Sequence, residues 1–428
     1  MTNRHQPAGK PAASPAWYPC CLALCVFANS AFADAETEAL REELQLLKKR
    51  MEQLEARLAA AENRDIEIKE AVNETAAADS SGIQAFDIGG ALRFNYSWED
   101  FDDSAQSKRG DIGLNIFRLN VDGQYENILL SAEYRFYTFM DTIHHGWIGY
   151  DFGDHGQVQA GITQVPFGLL PFASHSFWFG TTYYMGLEDD YDMGIKYIND
   201  FGPWNLQLAA FKNAELGNAD DLERYSYDPV TTGAARNEET NTFNGRLAYT
   251  FGKDSECSNE LGLSGQWGEL FNRDTDDSGD HWATAAHLDS RCGRWNLQFE
   301  LGRYEYNPRN PAGVSNDSIT FGAFAFAHEV AAEGYFGVAN IAYNVPVNWP
   351  RVDVITCYND FSILHKDDSR FNDSLLNTTG CAIGIGPTFT YIDLIRGRNA
   401  LFLGDGSLAG GGNDEWETRI NINLGYYW

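Results

Sequence analysis

Two sets of charged residues in this chain are placed to act on ions. Arg93, Arg118, Arg135 and Arg419 each sit in a stretch where polar and apolar residues tend to alternate. Glu188-Asp189-Asp190, with Asp192 just beyond, closes a segment crowded with Phe172, Phe177, Trp178, Phe179, Tyr183 and Tyr184. A guanidinium keeps its charge at any physiological pH and reads carboxylates and phosphates as a fork. Four of them on one surface, facing a run of carboxylates, would set a field across a narrow space and orient charged or dipolar solutes there. The plainer role for each arginine is an ion pair with a neighbouring acid. Neither arrangement is catalytic. No G-x-S-x-G, phosphate-binding loop or C-x-x-C motif is present and no nucleophile–base pairing stands out, so the expectation is no enzyme and no cofactor.

For the arginines to share a surface, they must lie on neighbouring strands. The last eleven residues, Thr418 to Trp428, show the required pattern: Ile420, Ile422, Leu424, Tyr426 and Trp428 on one face, Arg419, Asn421 and Asn423 on the other. A strand apolar on one side and polar on the other suits a barrel wall between lipid and water. Period-two stretches of this kind begin after Ala85, and sixteen are read along the chain. The first three lie near 86–98, 110–123 and 127–139; the last five lie near 317–329, 334–343, 351–362, 380–392 and 418–428. Strands one, two, three and sixteen become neighbours when such a barrel closes, which gathers Arg93, Arg118, Arg135 and Arg419 into one inward stripe. The phase at Arg118 is the least regular, because the alternation slips near Leu114 to Phe117.

The links divide into two kinds. Segments 151–157, 199–203 and 331–334 are short and read as periplasmic turns; 165–190, 214–239 and 393–416 read as long external loops. Alternation along this map makes 363–379 periplasmic although it is long and polar, an inconsistency within the map. The loop 165–190 is expected to fold into the lumen, since its aromatic side chains would otherwise meet water.

The start of the chain reads differently. Residues 1–33 have the form of a secretory signal, with Arg4 and Lys10, an apolar stretch from Cys20 to Phe32, and an Ala31-Phe32-Ala33 cleavage site. Its removal would take two positive charges and no negative ones, moving the formal charge from −30 to −32. Such acidity argues against a nucleic-acid partner. Residues 34–74 carry a heptad register, with Leu40, Leu47, Leu54, Ala61 and Ile68 at d and Leu44, Met51, Leu58, Asp65 and Val72 at a. This predicts a periplasmic coiled coil, about 60 Å long at 1.5 Å per residue, and hence a homo-oligomer. Residues 75–84 form a small-residue linker before the barrel at 85–428.

Four cysteines follow the signal. In an antiparallel pair, opposed residues have a constant sum of numbers. Cys257 with Cys292, and Cys357 with Cys381, are centred on or near expected links, so each pair is predicted to close as a cross-strand disulfide. Asp274 to Asp280 resembles the opening of a calcium loop, but its twelfth position is Ala285 where a bidentate Glu is needed. An exposed acidic loop, bridged to lipopolysaccharide by divalent ions, is expected there instead of a metal site. His144-His145 are adjacent on a strand and are expected on opposite faces.

Together these features resemble bacterial trimeric porins with an N-terminal coiled coil, above all the phosphate-selective porin O and P superfamily and the dicarboxylate porins. Val165-Pro166-Phe167-Gly168 before the long loop and the ending Asn423-Leu424-Gly425-Tyr426-Tyr427-Trp428 carry the local match. The resemblance implies an all-β transmembrane barrel in the bacterial outer membrane, a homotrimer, and passive diffusion of small hydrophilic solutes. The chain departs from that family in two places. Residues 165–190 contain no Lys or Arg where phosphate-selective members cluster basic residues, and Trp428 stands where Phe is commonest. Selective passage of dicarboxylates, phosphate or other organic anions, or a structural barrel anchored to peptidoglycan through the coiled coil, are the alternatives.

Overall fold

The computed structural model describes residues 83–410 and 414–428. The signal, the coiled coil and nearly all of the linker lie outside the described residues; Ile83 and Gln84 already belong to the first strand. In chain order the strands are β1 Ile83–Glu99, β2 Asp111–Tyr125, β3 Ile128–Phe136, β4 Asp141–Asp151, β5 Gln157–Gln164, β6 Tyr191–Phe201, β7 Trp204–Ala214, β8 Asp228–Pro229, β9 Asn237–Phe251 and β10 Cys257–Asn272. They continue with β11 Asp277–Cys292, β12 Trp295–Asn307, β13 Ser318–Ala323, β14 Phe326–Ala331, β15 Glu333–Asn344, β16 Val354–Lys366, β17 Ser374–Ile385, β18 Thr388–Arg398 and β19 Trp416–Tyr427. Sixteen of them close into one antiparallel barrel in which β1 pairs with β19, while β8, β13 and β14 form a separate small sheet.

The alternation decides which way each side chain points. On β19, Leu424 and Tyr426 are 46% and 49% exposed on the outer face, while Asn421 and Asn423 are buried inside. On β10 and β12, Leu263 and Leu301 stand outward at 66% and 72% exposed, and Ser264 and Glu300 are buried inward. Each exposed Leu would cost about 1.5–3 kcal/mol relative to a buried one in water. A continuous belt of them is stable only against another apolar medium. No helix among the described residues is long and apolar enough to cross a membrane; closed strands satisfy every backbone group without one.

One rim carries short links, 126–127, 202–203, 293–294 and 386–387; the other carries 165–190, 215–236, 308–332 and 399–415. In outer-membrane barrels the short rim faces the periplasm.

Two expected strands were misread. The stretch 317–329 is not a wall strand. It is the hairpin β13–β14, turned by Phe324 and Ala325 at φ of 53° and 58°. Neither residue is usual at positive φ, so no turn signal marked it. The turn is fastened by Phe324 N donating to the Arg224 carbonyl and Ala325 N to the Leu222 carbonyl. The stretch 380–392 is two strands, β17 and β18, joined at Gly386, with φ of 52°, and Pro387. A Gly-Pro pair is turn chemistry and should have split that run. One strand lost and one gained leave the count at sixteen. They also remove the inconsistency in the map, because the link 367–373 now falls on the long-loop rim, as does 331–334, which is no periplasmic turn but the end of the 308–332 loop.

The cysteine pairing agrees with expectation. Cys257 faces Cys292 and Cys357 faces Cys381 in register, and both pairs are disulfide-bonded.

Candidate functional site

The loop 165–190 enters the barrel and is laced to its inner wall. Gly168 N donates to Ser264 Oγ at 3.0 Å and Leu169 N to Glu300 Oε2 at 2.7 Å. Asn340 Nδ2 donates to the Ala173 carbonyl at 2.7 Å, and His175 N and Ser176 N both donate to Asp360 Oδ2. Thr181 N donates to Ser362 Oγ at 2.9 Å. These partners sit on β10, β12, β15 and β16, within a run of five adjacent wall strands of the sixteen. A backbone turned inward must find hydrogen-bond partners where water is excluded, and polar residues at every second position of the wall supply them. Arg246 on β9, which the sequence reading missed, donates through Nε to the Gly168 carbonyl at 2.8 Å.

Beyond His175 the loop meets the arginines. The guanidinium of Arg93 stands 5.3 Å from the Phe177 ring and that of Arg419 4.6 Å from the Trp178 ring. All four predicted arginines face the lumen on adjoining strands. Arg118 and Arg135 are direct register partners, and Arg118 lies opposite Ala91 next to Arg93. The slip near Leu114 is a bulge: Ile116 pairs with Arg93 and Leu114 with Phe94, which leaves Asn115 over. Arg419 sits nearer the long-loop rim, opposite Glu99.

Their partners differ. Glu133 binds both Arg118 (3.3 Å) and Arg135 (2.5 Å), and Glu99 binds Arg419 at 2.8 Å. Arg93 has no carboxylate in ion-pair range among the described residues. Four cations thus face two acids, which leaves two positive charges over: one shared by Arg118 and Arg135 at Glu133, and the whole charge of Arg93. The inner face of β1 and β2 also keeps contact with solvent, with Arg93, Asn95, Arg118 and Asn120 partly exposed and Asp122 exposed.

The acidic run does not line an open passage. Glu188, Asp189, Asp190 and Asp192 are 4%, 8%, 6% and 2% exposed. Glu188 staples the loop, accepting from Ala173 N at 2.8 Å and Thr182 Oγ1 at 2.6 Å. Asp189 accepts from Tyr225 Oη at 2.5 Å. Burial pushes the Glu188 carboxyl up to about 8 against the pull of its hydrogen bonds. It pushes Asp189 up to about 6, although Tyr225 and the charge of Arg135 pull it back. The expected acidic face opposite the arginines is thus an internal fastening of the loop, and it is closed over by apolar packing. Tyr183, Tyr184, Met185 and Leu187 form one core with Tyr225, Phe321, Leu403 and Leu408 from the other long loops.

His144 and His145 do not point to opposite faces. The register jumps from Glu133–His145 to Tyr134–Ile143, so His144 is the extra residue of a bulge. Both rings turn to the same side, with Nδ1 atoms 2.8 Å apart. His145 Nε2 is 2.9 Å from Ser131 Oγ, and His144 Nδ1 is 4.0 Å from Glu133. The two rings thus adjoin the arginine stripe.

No protein-family model matches the chain, and no curated protein matches it in sequence. Among solved structures, OmpT of Vibrio cholerae, an outer membrane protein in its trimer form, is similar over 80% of this chain and 99% of its own, at 13% identity and a TM-score of 0.52. The outer membrane channel DcaP of Acinetobacter baumannii is similar over 82% and 99%, at 13% identity and a TM-score of 0.53. An anion-selective porin from Comamonas acidovorans is similar over 80% and 99%, at 14% identity and a TM-score of 0.52. At such identities the likeness is one of fold, and this chain has the closed antiparallel barrel fold that these outer-membrane proteins share.

Proposed function

We propose that this chain is an outer-membrane porin, passing small hydrophilic solutes by passive diffusion and preferring anions at its narrowest point. The observation that carries this reading is Arg93: a lumen-facing cation without a carboxylate beside it among the described residues, next to Arg118 and Arg135 on a wall that keeps contact with solvent, while the loop is laced to the opposite wall. Small organic anions, dicarboxylates among them, suit such a stripe because their carboxylates match the guanidinium fork. Phosphate is less well matched, since the loop 165–190 supplies no Lys or Arg. The overall acidity of the chain acts at longer range and is screened within about 8–10 Å at physiological salt.

Assembly as a homotrimer, a signal over 1–33, a periplasmic coiled coil over 34–74 and contact with lipopolysaccharide complete the proposal. The heptad register, and the trimer form of the Vibrio cholerae protein of like fold, support the oligomer.

Planar-bilayer recording tests it. The full chain should give discrete conductance steps and a reversal potential in a KCl gradient of the sign for chloride preference; Arg93→Ala should move that potential toward zero. The apolar core formed by the four long loops favours one other reading, a barrel closed at its mouth that serves as an anchor. An absence of steps would select that reading.

A further inference from the structure

At the end of the lumen loop, where it rejoins the wall, three carboxylates come together from three separate elements. Asp190 is the last residue of the loop, Asp192 is the second residue of β6, and Asp228 opens β8 in the small outer sheet. One oxygen of each lies within 4.8 Å of the others, about the span across a calcium ion whose ligands sit 2.3–2.6 Å away. All three residues are buried, Asp228 at 1% exposed and Asp192 at 2%. Glu215 and Glu239, also buried, act on Asp190 with their charge. Against these five acids stands, among the described residues, one cation in ion-pair range, Arg224, which is 3.4 Å from Asp228 and 3.8 Å from Glu215.

A second observation is independent of this crowding. Asp192 Oδ1 is shut away from solvent and has no hydrogen-bond donor among the described residues. A buried carboxylate oxygen normally has a donor, and leaving one without costs about 1–3 kcal/mol or more. Such an atom inside an acidic pocket calls for a cation. The donors are all oxygen, which suits a hard divalent ion and not zinc or copper. Three carboxylates gathered at this spacing suit calcium better than magnesium, which demands a tight octahedron and keeps several of its waters.

We propose that Asp190, Asp192 and Asp228 hold a calcium ion, with Glu215 beside it, and that the ion ties the end of the lumen loop to the wall and to the outer sheet. The site differs from the acidic loop at Asp274 to Asp280, whose sequence is the more calcium-like but whose Asp274, Asp276 and Asp277 lie on the surface.

The test uses full-length protein refolded in detergent without lipopolysaccharide, stripped with EDTA, freed of chelator and titrated with CaCl2 in a calorimeter. It needs no open pore, so its result stands apart from any conductance measurement. One saturable calcium per chain is expected. Asp192→Asn and Asp228→Asn should each weaken it at least tenfold, and Asp276→Asn/Asp277→Asn should leave it unchanged. The Asn variants keep the shape and remove like-charge repulsion; circular dichroism and the heat-shifted gel mobility of the barrel verify their folding. No saturable binding by the parent protein up to about 10 mM, above the range of weak extracellular calcium modules, would overturn the proposal. So would binding that survives in folded Asp192→Asn and Asp228→Asn, or that disappears in the Asp276→Asn/Asp277→Asn variant.

Discussion

The guanidinium of Arg419 lies 4.6 Å from the ring of Trp178, so a residue of the last strand and one of the lumen loop meet across the barrel interior. Arg93 repeats the contact one residue earlier in the loop, on Phe177. Cations over aromatic faces gain about 0.5–2 kcal/mol, and here they also set how far the loop stands from the β1 wall. Trp178→Ala should release that side of the loop and raise single-channel conductance without changing the barrel's circular dichroism. An unchanged conductance would mean that the loop is placed by its hydrogen bonds to the other wall alone.

Glu133 shares its single negative charge between Arg118 and Arg135, whereas Arg93 has no carboxylate beside it among the described residues. One unit charge a few ångström from a passing ion in water amounts to about 1 kcal/mol, or about fivefold in permeability. Glu133→Gln should therefore strengthen anion preference, and Arg93→Ala should weaken it more than Arg135→Ala does. Reversal potentials in a salt gradient give the order. Equal effects of Arg93→Ala and Arg135→Ala would contradict this charge accounting.

His175 links the loop to Asp360 at 2.8 Å through Nδ1 and to Asn296 through Nε2. Burial alone would lower its pKa, but the hydrogen bond and charge of Asp360, with Asp289 beyond, hold it above the ordinary 6.5. For a histidine raised on folding, the contact contributes fully below the unfolded value and is lost as pH rises through the raised folded value. The loop should be held more firmly at pH 6 than at pH 9. Current noise from loop opening should increase over that interval in the parent protein, and His175→Gln should show the same noise at both ends. A pH response that persists in His175→Gln would locate the titration elsewhere.

The disulfides close chain separations of 35 and 24 residues. Loop-closure entropy for such lengths amounts to about 3–4 kcal/mol of unfolded-state restriction each. Cys257→Ser/Cys292→Ser should unfold at lower temperature in detergent, measured by loss of the heat-shifted gel band, with conductance unchanged. Reduction of the parent protein should reproduce the shift.

Ala325 holds a left-handed conformation that costs an L-residue about 1 kcal/mol. Ala325→Gly relieves it at a position where the turn backbone is already fixed. A gain of up to about 1 kcal/mol is expected, offset in part by the greater freedom of Gly in the unfolded chain, and a thermal melt of the outer sheet measures it.

How much of this was legible beforehand depended on whether the information was periodic. Alternation along a strand is local chemistry: Leu424 faces out and Asn423 faces in because successive side chains of a pleated strand point oppositely. The same regularity put Arg93, Arg118, Arg135 and Arg419 on one wall, and it paired Cys257 with Cys292 by counting alone. It failed where the backbone leaves the repeat without a marker residue. The bulge at His144 turns two neighbouring rings to one side, and Phe324-Ala325 reverses the chain with side chains that prefer not to. Only the closed barrel decided the rest. Whether Glu188 to Asp192 face water or each other depends on what packs over them, and the residues that do so, Tyr225, Phe321 and Leu408, come from three other loops. Pattern in one dimension states which face a residue takes; burial is settled by partners distant in the chain, and no local rule carries that.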